Sequence, residues 1–167
     1  HLLSRRQRQN VYKRQVVPSP VPVDFKNAAL VERMARAGSI VITGGGGGIP
    51  VYVDNQGMLQ SIEGVIDKDL ASAMIGSRVK ADELYILTDV PYIYKDYRKP
   101  TQEILEFLDY ADTVKYLEAG MFGEGSMAPK IRACLSFIEK GGQKAVITEA
   151  TKLEDRHYGS KITMHYD

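Results

Sequence analysis

Short β-branched runs that alternate with helical stretches most constrain what this chain can fold into. Ser39–Thr43 (SIVIT), Glu83–Val90 (ELYILTDV) and Gln143–Thr148 (QKAVIT) are apolar and hold few polar side chains at alternate positions. A strand with one wet face alternates apolar and polar residues, whereas a strand buried on both faces does not. Helix-period segments separate the runs. One starts at about Asp24 or Phe25, carries Ala28, Ala29, Val31, Met34 and Ala35, and is stopped by Gly38. The next begins at Lys68 behind the N-cap Asp67, with Leu70, Ala71, Met74, Ile75 and Val79 on one stripe. A third follows Pro129, a residue suited to the first helical position, with Ile131, Cys134, Leu135 and Ile138 at helical spacing and Gly141-Gly142 ending it. This alternation predicts an α/β chain with a largely parallel sheet covered on both faces.

The remaining segments are less regular. Pro18, Pro20 and Pro22 make Val16–Asp24 a stiff extended connector. Alternation on either side of Asp54-Asn55-Gln56-Gly57 predicts a hairpin. PYIYKDYRKP reads as a turn or short hairpin, Gln102–Tyr110 and Thr113–Ala119 as two short helices, and KITMHY as a last strand. Residues 1–15 carry five Lys and Arg and no acid, and VYKRQ resembles translated adapter or vector sequence. We treat 1–15 as a non-native or disordered basic head, a real basic arm being the alternative, and 16–167 as the folded part.

Composition excludes several classes of function. With 22 Lys and Arg against 21 Asp and Glu, bulk charge gives no support for a nucleic-acid or membrane partner. No apolar run is long enough for a membrane span. A single cysteine cannot form an intramolecular disulfide, and its place in an apolar helical pattern favours packing over catalysis; a reducing compartment, the cytoplasm, fits. There is no G-x-x-x-x-G-K-[ST], no H-E-x-x-H and no G-x-S-x-G, and His157 and His165 lack ligand spacing, so no metal-binding residues are assigned.

Ligands of a parallel sheet bind at the carboxyl ends of its strands. Two polar loops fall there: Gly44–Gly48 after SIVIT, and Thr88-Asp89 after LYIL. Consecutive glycines let backbone N–H groups approach an anion, or simply make a tight bend. Two lysines, Lys68 and Lys130, occupy helix starts. That end of a helix is positive and ordinarily favours carboxylates. An arriving phosphate would reverse the cost, because it interacts with the N–H groups and the ammonium together; the alternative is a solvated surface lysine. Asp69 is either a first-turn acid or a group that orients a lysine. Tyr92, Tyr94 and Tyr97 either flank a base or cover core edges.

Five stretches in this order, VVPSP, GGGGIPV (Gly45–Val51), EGVIDKDLA (Glu63–Ala71), ILTDV (Ile86–Val90) and GSMAPK (Gly125–Lys130), resemble the carboxy-terminal half of the carbamate kinases, in the amino acid kinase superfamily. The resemblance implies a three-layer α/β/α fold with a mainly parallel open sheet, truncated on its amino-terminal side. It implies reversible phosphoryl transfer between ATP and carbamate, giving ADP and carbamoyl phosphate, with Mg²⁺ accompanying the nucleotide, and a homodimer when full length. By analogy Lys68 contacts the transferring phosphate, Asp69 orients the catalytic lysines and Lys130 binds nucleotide phosphates. Thr88, Asp89 and Val90 border the nucleotide, Tyr94 and Met127 lie near the adenosine, and Gly45, Gly46, Gly47 and Gly48 line the substrate side. Ala128 stands where the family usually has glycine. The family's other glycine-rich phosphate loop and its substrate lid with a further lysine are not found. The expectation is therefore a fragment that does not turn over alone. The alternatives are another small-acid kinase of the same superfamily and a non-catalytic nucleotide-binding module.

Overall fold

The computed structural model describes residues 17–44, 46 and 48–165. The head expected over 1–15, and Gly45 and Gly47, lie outside these. Among the described residues there are four helices: α1 (Ala28–Arg36), α2 (Lys68–Arg78), α3 (Tyr110–Glu118) and α4 (Met127–Glu139). The strands are β1 (Val51–Val53), β2 (Leu59–Ser61), β3 (Glu83–Thr88), β4 (Ile93–Lys95), β5 (Glu103–Leu105), β6 (Phe107–Asp109), β7 (Lys144–Glu149) and β8 (Ser160–Thr163).

The central sheet has the order β3-β7-β8-β6. β3 runs parallel to β7 in the register Glu83↔Lys144 to Thr88↔Glu149, and β6 runs parallel to β8. β7 and β8 are antiparallel, joined through a single turn of 3₁₀ helix at Ala150–Lys152. The chain is thus α/β with a mainly parallel central sheet, as its pattern predicts. Because β3 and β7 are parallel and in register, Thr88 and Glu149 finish together on one edge of the sheet.

Helix α4 rests on β7 and carries most of the core: Ile131, Ala133, Cys134, Phe137 and Ile138 are almost wholly buried, together with Ala145, Ile147 and Ile162 from the strands. α2 and α3 pack along it. Small residues set how close α2 comes. Ala73 is buried, and a Cβ added at Gly76 would meet the Phe137 ring at 3.1 Å. α4 ends with Gly141 at φ 98°, where Gly141 N donates to Ile138 O and Gly142 N to Phe137 O, both at 3.0 Å. This Schellman arrangement satisfies the orphan carbonyls and folds Gly142 back against the core. α1 ends likewise at Gly38.

Several expectations need correction. SIVIT (Ser39–Thr43) forms no strand and joins no sheet, with Ile40 96% and Ile42 98% exposed. A strand requires a hydrogen-bonding neighbour, and no described strand lies beside it. The helix expected over Gln102–Tyr110 is instead β5 and β6, because Ile104 and Leu105 pair with β4 and Leu108 pairs with β8. One helix follows. It begins at Tyr110 rather than Thr113, since Asp109 caps it by accepting from Asp112 N at 2.7 Å. α1 starts at Ala28, later than expected, and α4 starts at Met127, two residues before Pro129. The β1–β2 hairpin forms as read; PYIYKDYRKP supplies β4 and the turn of a second hairpin, whose return strand β5 lies in the stretch read as helix, and the last strand is Ser160–Thr163.

Gly142→Ala should be among the costliest glycine substitutions. A Cβ there would run into the fully buried Phe137 ring. Overpacking of this kind costs about 1–3 kcal/mol. Gly125→Ala, with nothing near its added Cβ, should change the denaturant midpoint little; equal midpoints for the two variants would contradict this account.

Candidate functional site

Two helix starts converge beside the edge where β3 ends. α2 begins at Lys68 because Asp67, in extended geometry, accepts from Asp69 N at 2.8 Å and Leu70 N at 3.0 Å. That cap fixes the first turn and turns the Asp69 side chain inward, where it is 10% exposed. In α4, Lys130 is the fourth helical residue, reached through a turn in which Gly123 O accepts from Ser126, Met127 and Ala128 N.

The two lysines meet at Asp69. Lys68 Nζ donates to Oδ1 at 2.6 Å, and Lys130 Nζ donates to Oδ2 at 2.8 Å. The pairs differ in exposure: the Lys130 side chain is 15% exposed and that of Lys68 61%. Burial pushes the Asp69 carboxyl up, but the hydrogen bonds from Lys130 and then Lys68 outweigh it and hold it below the usual range. The hydrogen bond to Asp69 raises Lys68 above its ordinary value. The cluster therefore holds two cations and one anion at neutral pH, which is one positive charge in excess.

Beside it lies a cavity of about 290 Å³. Thr88, Asp89, Val90, Tyr94, Met127 and Lys130 all line it, so every residue expected at a nucleotide is brought to one place. Thr88 Oγ1 donates to Asp89 Oδ1 at 3.1 Å. Burial pushes the Tyr94 phenol upward, so it stays a hydrogen-bond donor. Of the three tyrosines singled out from sequence, Tyr94 and Tyr97 line the cavity, with rings 5.6 Å apart. Tyr92 does not; it packs on Tyr158 at 5.1 Å. Ser126, from the GSMAPK stretch, also lines it, and Arg98, Met121, Phe122 and Gly123 complete the wall without any motif to mark them; only their closeness to α4 and to the β4–β5 turn places them there.

The glycine loop is elsewhere. Gly46 and Gly48 line a separate groove of about 600 Å³ between the Pro20–Val23 stretch, the β1–β2 hairpin and the Ala71–Ile75 flank of α2. Lys68 and Asp69 are absent from that lining. α2 thus borders the groove by its flank, whereas its first turn reaches the 290 Å³ cavity only through the Asp69–Lys130 ion pair, since neither Lys68 nor Asp69 lines that cavity.

Cys134 is fully buried, and burial pushes its thiol up to about 12. It belongs to the core and is no nucleophile. Among the described residues, no group of three or more His, Cys, Asp and Glu is placed to hold a metal ion, and no helix is long and apolar enough to cross a membrane.

A strand-edge cavity with lysines at converging helix starts is a kinase-like arrangement, and comparison with known proteins agrees. The profile of the amino acid kinase family matches residues 2–149, and the chain belongs to that family. Among curated relatives it is 42% identical to a carbamate kinase of Halobacterium salinarum over 156 residues, covering 92% of this chain and 50% of that protein. A carbamate kinase of Thermoplasma acidophilum is 45% identical over 135 residues, 81% of this chain and 44% of that one. The structure of a Giardia lamblia carbamate kinase bound to AMP-PNP superposes with a TM-score of 0.86 at 32% identity, over 94% of this chain and 56% of the other. The chain spans about half the length of the curated relatives it matches. An N-acetylglutamate synthase of Neisseria gonorrhoeae, 15% identical with a TM-score of 0.62, shares the fold alone.

Two measurements check this geometry. Asp69 has a depressed folded-state value, so its contribution is present above the unfolded carboxylate value of about 3.9 and is lost as pH falls through the folded one. Urea midpoints should therefore drop on acidification below about pH 4. Asp69→Asn should be less stable by about 1–3 kcal/mol at pH 7, and its deficit should shrink in acid. A deficit that stays constant with pH would remove the charge argument. Separately, Cys134 should resist a thiol reagent at pH 8 in the native chain and react at once in strong urea.

Proposed function

We propose that this chain carries the nucleotide half of a carbamate kinase, which transfers a phosphoryl group reversibly between ATP and carbamate to give ADP and carbamoyl phosphate. One observation carries the reading: Asp69 is held between Lys68 and Lys130, and Lys130 itself lines a cavity shared with Thr88, Asp89, Val90, Tyr94 and Met127. Phosphoryl transfer asks little covalent chemistry of a protein; positioning and charge neutralisation do most of the work.

In this reading Lys130 binds the nucleotide phosphates, and Lys68, the more exposed ammonium, follows the phosphoryl group in transit. Lysine suits that task as a compact charge on a flexible stem. Asp69 orients both and keeps two neighbouring ammonium groups from repelling each other before the anion arrives. Thr88, Asp89 and Val90 border the nucleotide, and Tyr94 and Met127 pack on the adenosine. Gly45, Gly46, Gly47 and Gly48 belong to the substrate side.

Mg²⁺ enters with the nucleotide. Both Asp69 oxygens are taken by lysines, which leaves no dedicated cage of protein ligands here. A hard ion held chiefly by phosphate oxygens fits that donor set, and its chemistry is neutralisation of phosphate charge.

The 167-residue chain binds nucleotide but does not turn over by itself, because relatives are about twice as long. The exposed Ile40, Ile42 and Ile49 then belong to a face that packs on the rest of the full-length enzyme. That enzyme is a cytoplasmic homodimer in this account.

The test is calorimetric titration with ADP, followed by an assay for ATP formation from carbamoyl phosphate and ADP in a version extended by an amino-terminal half. Lys130→Ala should weaken ADP binding at least tenfold, and Lys68→Ala should lower turnover by orders of magnitude with a smaller effect on ADP. Full activity in both variants would return the lysines to the role of surface residues. ADP binding without any ATP formation by the extended protein would point to another phosphoryl acceptor or to a binding module.

A further inference from the structure

Arg98 lines the cavity, yet the roles above leave it unused. It stands in the β4–β5 turn at φ 63°, with Asp96 at φ 50° two residues before it. Both lie in the left-handed region, which is uncommon for residues with a side chain and a strained choice for arginine. The surrounding hydrogen bonds hold the turn there. Arg98 N donates to Gln102 Oε1 at 2.8 Å, and Lys99 N donates to Asp96 O at 2.9 Å. Lys99 Nζ and Thr101 Oγ1 both donate to the Asp96 carboxylate, at 2.7 and 3.1 Å. An over-determined strained turn at a cavity rim is a sign of a role in the site. Its product is a row of three groups: the Arg98 guanidinium lies 5.2 Å from the centre of the Tyr97 ring, which in turn lies 5.6 Å from that of Tyr94 with 32° between the two ring planes.

We propose that Arg98 is a further ligand-binding residue and that it contacts the base of the nucleotide. The proposal rests on the reading of this cavity as a nucleotide site. Lys130 is drawn toward Asp69 and Lys68, so that side of the cavity takes the phosphates. Arg98 is grouped instead with Tyr94 and Tyr97, the aromatic part of the wall. A guanidinium is planar and stacks on π faces while its N–H groups reach ring-edge acceptors. A purine offers both the face and the acceptors. Held flat by Tyr97, Arg98 would close over a base seated against Tyr94, and the cavity would then favour purine over pyrimidine nucleotides.

The test compares ADP, adenosine and inorganic pyrophosphate as ligands of the 167-residue chain, of Arg98→Gly and of Arg98→Lys. Glycine suits the positive φ, so Arg98→Gly should melt no lower than the parent and a loss of binding cannot be blamed on unfolding. Arg98→Gly should weaken ADP and adenosine alike by about tenfold and leave pyrophosphate unchanged, and Arg98→Lys should recover little. Unchanged adenosine affinity in Arg98→Gly would overturn the proposal, as would losses for ADP and pyrophosphate alone, which would make Arg98 a phosphate contact. If the parent binds neither ADP nor adenosine, the nucleotide reading fails and this proposal falls with it. If the parent binds ADP and only Lys130→Ala loses it, the nucleotide reading stands and the proposal alone is wrong.

Discussion

One carboxylate between two ammonium groups organises this structure. Without Asp69, α2 and α4 would bring two lysines together at helix ends that are already positive, and each would cost stability. With Asp69 between them, the pair becomes a preformed cationic site with one charge to spare. The geometry is asymmetric. Lys130 is nearly buried and firmly held, whereas Lys68 is mostly exposed. A buried pair orders its side chains, and an exposed one gives little net energy and stays free to exchange partners. Under the proposed function, that difference would let Lys130 hold one phosphate while Lys68 follows another.

The fold supplies the convergence by ordinary packing. Parallel pairing of β3 and β7 places both carboxyl ends on one edge. α4 crosses that sheet on Phe137, Cys134 and Ile138, and α2 approaches α4 across Ala73 and Gly76, where small side chains admit the Phe137 ring. The first turns of both helices therefore arrive at the same end as Thr88-Asp89. The short sheet-edge loop and the start of α4 become one wall, with the first turn of α2 tied to it through Asp69 and Lys130, by way of core residues that never touch the cavity.

Much of this was legible in the sequence. The unalternating strands β3 and β7, the cap Asp67, the stop at Gly38 and the lysine positions could be read directly, because each depends on neighbours within a few residues. The bend between Gln102 and Tyr110 could not. Glu103-Ile104-Leu105-Glu106-Phe107-Leu108 satisfies a helical stripe as well as two short strands, and only pairing with β4 and β8 decides between them. Arg98, Met121 and Phe122 were illegible for the same reason: they reach the cavity through tertiary contacts, and no local pattern marks them.

SIVIT shows the converse limit. Its composition is that of a central strand, and its two isoleucines are almost fully exposed. β-propensity describes how well a side chain fits a pleated, half-buried surface, so it is realised only where such a surface exists. Here the run leads into the glycine loop, whose Gly44 lines a groove together with Ile75 of α2. That groove is walled by Val21, Val23, Ile49 and Val51, an apolar rim larger than scattered surface residues would give. Nothing in the local sequence conflicts with burial; what the run lacks, among the described residues, is a pairing strand. A run that reads as core and sits exposed therefore measures the gap between intrinsic preference and available partners. The relatives, about twice as long, point to where a partner would come from.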